Sequence, residues 1–235
     1  CFIQDSSTVF IKPLPIVNLG QDLSYCLNDS IQISFPSIPS QSYLWSPNYL
    51  INNITVSNPI IYSLIDTVYI LALTDSNSCT NFDSISVFIN DLPNLDILGQ
   101  DTTCSTDSLN LLGSGANSVY NWSPNQFISN NNIANPTIYP NSTSYYYMTG
   151  TNLNGCSSTD SILITVLPLP NAFAGNDSST CRAIPIQLNG SGGTNCQWIN
   201  STSLSDTNIC NPIANPNTIT NYILKVTDLY GCVNY

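Results

Sequence analysis

Asp83-Ser84-Ile85-Ser86-Val87-Phe88-Ile89 alternates from its third residue, so Ile85, Val87 and Ile89 fall on one face. A period of two belongs to a half-buried β-strand. The chain writes this strand again: Ile162, Ile164 and Val166 follow Asp160-Ser161, and Val9 and Ile11 match the last two positions. A second alternating stretch carries Tyr69, Leu71 and Leu73, with counterparts at Tyr146, Met148 and Gly150, and at Tyr222, Leu224 and Val226. Strands over Ser30 to Phe35 and Ser42 to Trp45 complete a sandwich pattern. No helix-period segment competes, and Asn, Gly and Pro punctuate the runs. The chain reads as all-β.

The recurrence is general. Trp45, Trp122 and Trp198 stand 77 and 76 residues apart. Cys26, Cys104 and Cys181 form one cysteine column; Cys1, Cys79, Cys156 and Cys232 form another. Leu19-Gly20-Gln21-Asp22 is repeated as Leu98-Gly99-Gln100-Asp101 and varied as Ala174-Gly175-Asn176-Asp177, while Trp45-Ser46-Pro47-Asn48 returns as Trp122-Ser123-Pro124-Asn125. Leu14-Pro15, Leu92-Pro93 and Leu169-Pro170 close the repeats. Proline fixes φ and favours extended geometry in the residue before it, so these pairs are expected to be short, stiff joints. The expected division is 1–14 as the last strand of a preceding repeat, 15–92 and 93–169 as complete repeats of about 77 residues, and 170–235 as a third lacking its last strand. On this reading the 235 residues are an internal piece of a longer chain.

Nine cysteines without a histidine or a C-x-x-C pair argue for disulfides rather than zinc, and hence for an oxidising compartment. Pairing by column predicts Cys26–Cys79, Cys104–Cys156 and Cys181–Cys232, closing loops of 53, 52 and 51 residues. Each would be worth about 4 kcal/mol in loop-closure entropy, comparable with the stability of a small domain. Cys196 and Cys210 have no counterparts in the other repeats and are expected to pair with each other; Cys1 is left over.

Composition narrows the function. All fourteen acidic residues are Asp, the cations are Lys12, Lys225 and Arg182, and the net charge is -11. Such a chain cannot displace counterions from a phosphate backbone, which excludes nucleic acid as a partner. Apolar runs such as Val68 to Leu73 are strand-sized and far below the roughly 18 residues of a membrane helix. Without His or Glu, most acid–base and nucleophilic constellations cannot be assembled, so the chain is not expected to be an enzyme. No cofactor is implied. Asp91, Asp96 and Asp101 form the only candidate calcium cluster, outweighed by their reading as turn residues because the second joint does not repeat it. The tryptophan column is read as core packing; Tyr145 and Tyr147, flanking a buried Tyr146, are the better candidates for a sticky face.

The order Gly-x-Asp, Cys, Trp-Ser-Pro, Asn-Pro, a Tyr-rich strand, Gly155-Cys156 (again Gly231-Cys232) and Asp160-Ser161-Ile162 resembles the tandem PKD-like or Ig-like repeats of large Bacteroidetes cell-surface and secreted adhesins. Ser78 departs from it, standing where the pattern has Gly. The resemblance implies Ig-like sandwiches, export, an extracellular or cell-surface location, and O-glycosylation within Asp-Ser/Thr motifs at Ser30, Thr67, Ser84, Thr102, Ser108 and Ser161. The expected function is a structural repeat region of an extracellular filament or adhesin stalk. Its partners would be neighbouring repeats or other copies of itself. The rivals are an adhesive module recognising glycans or a host surface, and a subunit that polymerises head-to-tail by donor-strand exchange.

Overall fold

The computed structural model describes residues 5–116, 119–181, 184–200 and 202–235; Cys1 and Arg182 lie outside the described residues. Every regular element among them is a β-strand. The chain forms two compact units. The first holds Cys1–Leu95 together with 115–119 and 149–158; the second holds 96–114, 120–148 and 159–235.

The first unit is built from β1 (Leu23–Cys26), β2 (Ile31–Gln32), β3 (Ser42–Ser46), β4 (Ile60–Ile61), β5 (Thr67–Thr74) and β6 (Thr80–Asn90). One sheet has the order β1-β6-β5-β3, and β2 pairs with β4 in a second. β5 and β6 form a hairpin from Thr74↔Thr80 to Thr67↔Val87, whereas β1 runs parallel to β6, Leu23 opposite Val87 and Cys26 opposite Asn90. The alternating residues fill the core: Tyr69, Leu71, Leu73, Ile85 and Val87 are buried against Ile33, Phe35, Ile61 and Trp45. Their partners across the pleat, Val68, Ile70 and Phe88, are exposed. Burial pushes the phenols of Tyr25 and Tyr69 above their ordinary value; Tyr25 Oη still donates to Ser63 O at 2.8 Å.

The second unit repeats the plan twice. β7 (Asp96–Leu98), β8 (Thr102–Cys104), β9 (Leu109–Asn110), β10 (Leu112–Ser114), β11 (Val119–Ser123), β12 (Thr137–Ile138), β13 (Ser144–Thr151) and β14 (Ser157–Leu167) give the sheet β11-β13-β14-β8 and the pairs β12-β9 and β10-β7. The tip of the β13–β14 hairpin belongs to the first unit. β8 is again parallel to β14, with Cys104 opposite Leu167. β15 (Ile186–Gln187), β16 (Asn195–Ile199), β17 (Ile213–Ala214), β18 (Ile223–Thr227) and β19 (Val233–Asn234) follow, as β16-β18-β19 and β15-β17. Each sandwich is thus an all-β, Ig-like module.

The tryptophan column is core, as the sequence suggests. Trp45, Trp122 and Trp198 are buried. Each indole N–H donates to a carbonyl 11 residues ahead, on Val56, Ile133 and Ile209, at 2.8, 2.8 and 3.0 Å. Each backbone N–H donates into the same loop, to Ile54, Asn131 and Thr207. The ring therefore fills the core and ties down the long connection after its own strand. Gly113 and Gly190 lie under the second and third rings: a Cβ on Gly113 would stand 2.3 Å from Met148 Sδ and 2.8 Å from Ala134 O.

Candidate functional site

The chemistry of this chain lies in its cysteines, and the structure corrects their predicted pairing. Cys26 bonds Cys156 and Cys104 bonds Cys232, across 130 and 128 residues, while Cys79 and Cys181 are free. In the first two repeats the parallel strand rules out the column pairs Cys26–Cys79 and Cys104–Cys156, and in the third the bond from Cys104 to Cys232 leaves Cys181 without its column partner. Cys26 ends β1 beside Asn90, the last residue of β6, and Cys79 precedes the first residue of that 11-residue strand. About 35 Å of extended chain separates the two ends, against the roughly 4–7 Å between Cα atoms that a disulfide requires. The bonds that form have Cα separations of 5.5 and 5.6 Å. Only Cys196–Cys210 pairs as expected, at 5.0 Å, across a loop inside the third repeat.

Each long-range disulfide thus runs from the first cysteine of one repeat to the second cysteine of the next. The surroundings recur in both units. The second cysteine ends a tight turn whose first residue, Asp75, Asn152 or Asp228, accepts two backbone N–H bonds through Oδ1, one of them from the cysteine itself at 2.9, 3.0 and 2.9 Å. The turn also needs a left-handed residue, supplied by Ser78 (φ 62°), Gly155 (φ 80°) and Gly231 (φ 87°). Two residues after the cysteine, the side chains of Asn81, Ser158 and Asn234 donate to the carbonyls of Pro15, Pro93 and Pro170, which docks each turn on its joint. Asn152 Nδ2 adds a 2.8 Å bond to Asp91 O, and Cys156 Sγ lies 3.8 Å from Asn90 O. Gly150 interrupts the apolar column for a local reason: a Cβ there would stand 2.5 Å from Leu95, the joint residue packed over it. Backbone N–H bonds, that from Cys79 foremost, hold the Asp75 carboxyl below its ordinary range.

The remaining candidates are scattered. Tyr145 and Tyr147 are exposed on β13, their rings stacked at 6.0 Å, with Tyr146 buried between them. Of the candidate glycosylation residues, Ser30, Ser84, Thr102, Ser108 and Ser161 are exposed. Thr67 is buried, with its hydroxyl donating to Ile65 O and 3.0 Å from Ser63 Oγ, so it is closed to a transferase acting on the folded chain. Asp91, Asp96 and Asp101 are all exposed; no group of three metal-ligating side chains forms among the described residues. No helix among them is long and apolar enough to cross a membrane.

No family profile and no curated protein matches the chain. Solved structures of Ig-like tandem-domain proteins do. The eight N-terminal Ig domains of Down syndrome cell adhesion molecule match at 12% identity and a TM-score of 0.46, covering 91% of this chain and 35% of that one. The I67–I69 fragment of titin matches at 12% identity and 0.40, covering 91% and 94%. The insect immune protein hemolin matches at 12% identity and 0.32, covering 64% and 46%. The chain therefore spans about a third of the first of these and under half of the last.

Proposed function

We propose that the chain is a structural repeat region of an extracellular filament or cell-surface adhesin stalk, with no catalytic role. The observation that carries this reading is the direction of the long disulfides. Cys26–Cys156 and Cys104–Cys232 each tie one repeat to its successor, so neighbouring repeats are joined by the backbone and by a second covalent bond. Staples inside a domain stabilise that domain alone. Staples between repeats resist extension of the array, which is what a stalk under load requires. Persistent disulfides favour an oxidising, extracellular setting. Glycans at the exposed Ser30, Ser84, Thr102, Ser108 or Ser161 would shield sheets that carry few charges. Ser84 stands opposite the exposed Ile70, for example. Origin in a large Bacteroidetes adhesin belongs to the same proposal.

Electron microscopy of native, unreduced material tests it. Fibres, or strings of beads that lose their regular spacing on reduction, are expected; dispersed compact particles unaffected by reduction would overturn it.

The stacked, exposed pair Tyr145 and Tyr147 favours a second reading, an adhesive module that binds a glycan ring on an aromatic face. Glycan-array binding lost in the double variant Tyr145→Ala, Tyr147→Ala would support it, and silence of the wild-type chain on the array would remove it.

A further inference from the structure

The outer face of the larger sheet in the first sandwich is apolar, and the fold does not demand it. Alternation turns the odd-numbered residues of β3, β5 and β6 toward the core and the even-numbered ones outward. Among the latter, Leu44 and Val68 are each 53% exposed, Ile70 41% and Phe82 63%. The other repeats fill most of these places with polar side chains. Asn121 and Gln197 stand where Leu44 does, and Thr159 stands in the place of Phe82. The same sandwich is therefore built without this apolar face. An exposed apolar patch that folding does not need marks a surface for contact.

The face is complementary to itself. Leu44, Ala72 and Phe82 lie opposite one another on β3, β5 and β6, so a small, half-buried residue sits between two large ones, in a trough about 10 Å across. One step along β5 the order inverts, and Ile70 rises between Ser46 and Ser84. Ridge and trough are two residues apart on one strand, about 7 Å. A two-fold axis between them brings each Ile70 over the Ala72 of the other copy. Charge points the same way. The even-numbered residues of the three strands include no Asp, Lys or Arg, in a chain of net charge -11. Asp22 and Asp66 stand at the rim, where their carboxylates accept the N–H groups of Ser86 and Ile89. A cationic partner gains nothing from such a face, and a second acidic copy meets no like charge at its centre. The four apolar side chains expose on the order of 400 Å² per copy, about half of what one side of a standard interface buries, which suits a weak, reversible contact.

We propose that this face of β3, β5 and β6 pairs with the same face of a second copy of the chain, Ile70 of each seating in the trough that Leu44, Ala72 and Phe82 form on the other. The inference deepens the filament reading above, naming the surface by which copies lie side by side, and rests on it. Two sheets packed this way stand about 10 Å apart, as the layers of one sandwich do. A glycan on Ser84 would cover the flank of the ridge, so the contact belongs to chains in which Ser84 is unmodified. Tyr145 and Tyr147 lie on a strand of the second repeat and take no part in it.

Sedimentation equilibrium of the unglycosylated 235-residue chain tests the pairing, with non-reducing gels run alongside. The mass should rise reversibly from 25.5 kDa towards twice that value, with a midpoint at about 100 μM. Hydroxyl-radical footprinting should show Leu44 and Phe82 losing reactivity over the same range. Ala72→Lys and Phe82→Thr should each weaken the association at least tenfold. The sandwich accepts both side chains, since Lys225 and Thr159 hold the equivalent places in the other repeats. Tyr145→Ala with Tyr147→Ala should leave it unchanged. A mass that stays at 25.5 kDa up to about 1 mM would overturn the proposal. So would a dimer that is covalent, that ignores both substitutions, or that is lost with the two tyrosines. Leu44 and Phe82 shielded already at high dilution would overturn it too, by showing another part of the same chain on the face. A monomer that keeps Cys26–Cys156 and Cys104–Cys232 would sink the lateral contact alone, and a chain lacking those bonds would sink the stalk reading.

Discussion

Ser78 occupies a left-handed position that the other two repeats give to glycine, at Gly155 and Gly231. A β-carbon there costs roughly 1 kcal/mol. Ser78→Gly should therefore raise stability by about that amount in urea unfolding, and Gly155→Ala should lower it similarly, since nothing crowds its Cβ position and φ alone is strained. The residue that opens the same turn sets a pH dependence. The Asp75 carboxyl is held below its ordinary value of 3.8, so its contribution is complete above that pH. It is lost as pH falls below 3.8 through the folded-state value. Asn152 fills the equivalent place as a neutral acceptor. Asp75→Asn should thus keep the turn and flatten the stability profile of the first unit below about pH 4, measured by unfolding from pH 2 to 6. Trp122→Phe leaves the Ile133 carbonyl without its indole donor and should cost about 1–3 kcal/mol.

At the scale of the element, the strands were legible and one pairing direction was not. Ile85, Val87 and Ile89 announce a strand because burial on one face imposes a period of two, and Tyr69, Leu71 and Leu73 do so equally. The cysteine columns were legible as disulfide partners in kind. Which cysteine meets which depended on whether β1 lies parallel or antiparallel to β6, and side-chain alternation is blind to strand direction. An antiparallel β1 would bring Cys26 to the Cys79 end; the parallel pairing Cys26↔Asn90 sends it to the opposite end and into the next repeat. Gly150 was legible as an interruption of its column but not as the seat of Leu95, because that contact comes from a joint residue remote in sequence. Gly113 makes the packing checkable. Gly113→Ala drives a methyl into Met148 and Ala134 and should cost about 1–3 kcal/mol in thermal or urea unfolding, as overpacked cores do.

Across the whole molecule, the low charge, the absence of histidine and the small repeated cores leave covalent links as the largest single contributions available. A bond spanning 130 residues removes about 5 kcal/mol of loop entropy from the unfolded chain in the entropic account. Each of the two long bonds joins one repeat of the sequence to the next. The central claim is therefore a connectivity, and peptide mapping of unreduced protein by mass spectrometry tests it most directly. The account predicts linked peptides carrying Cys26 with Cys156 and Cys104 with Cys232. Linked peptides carrying Cys26 with Cys79 and Cys104 with Cys156 would contradict it.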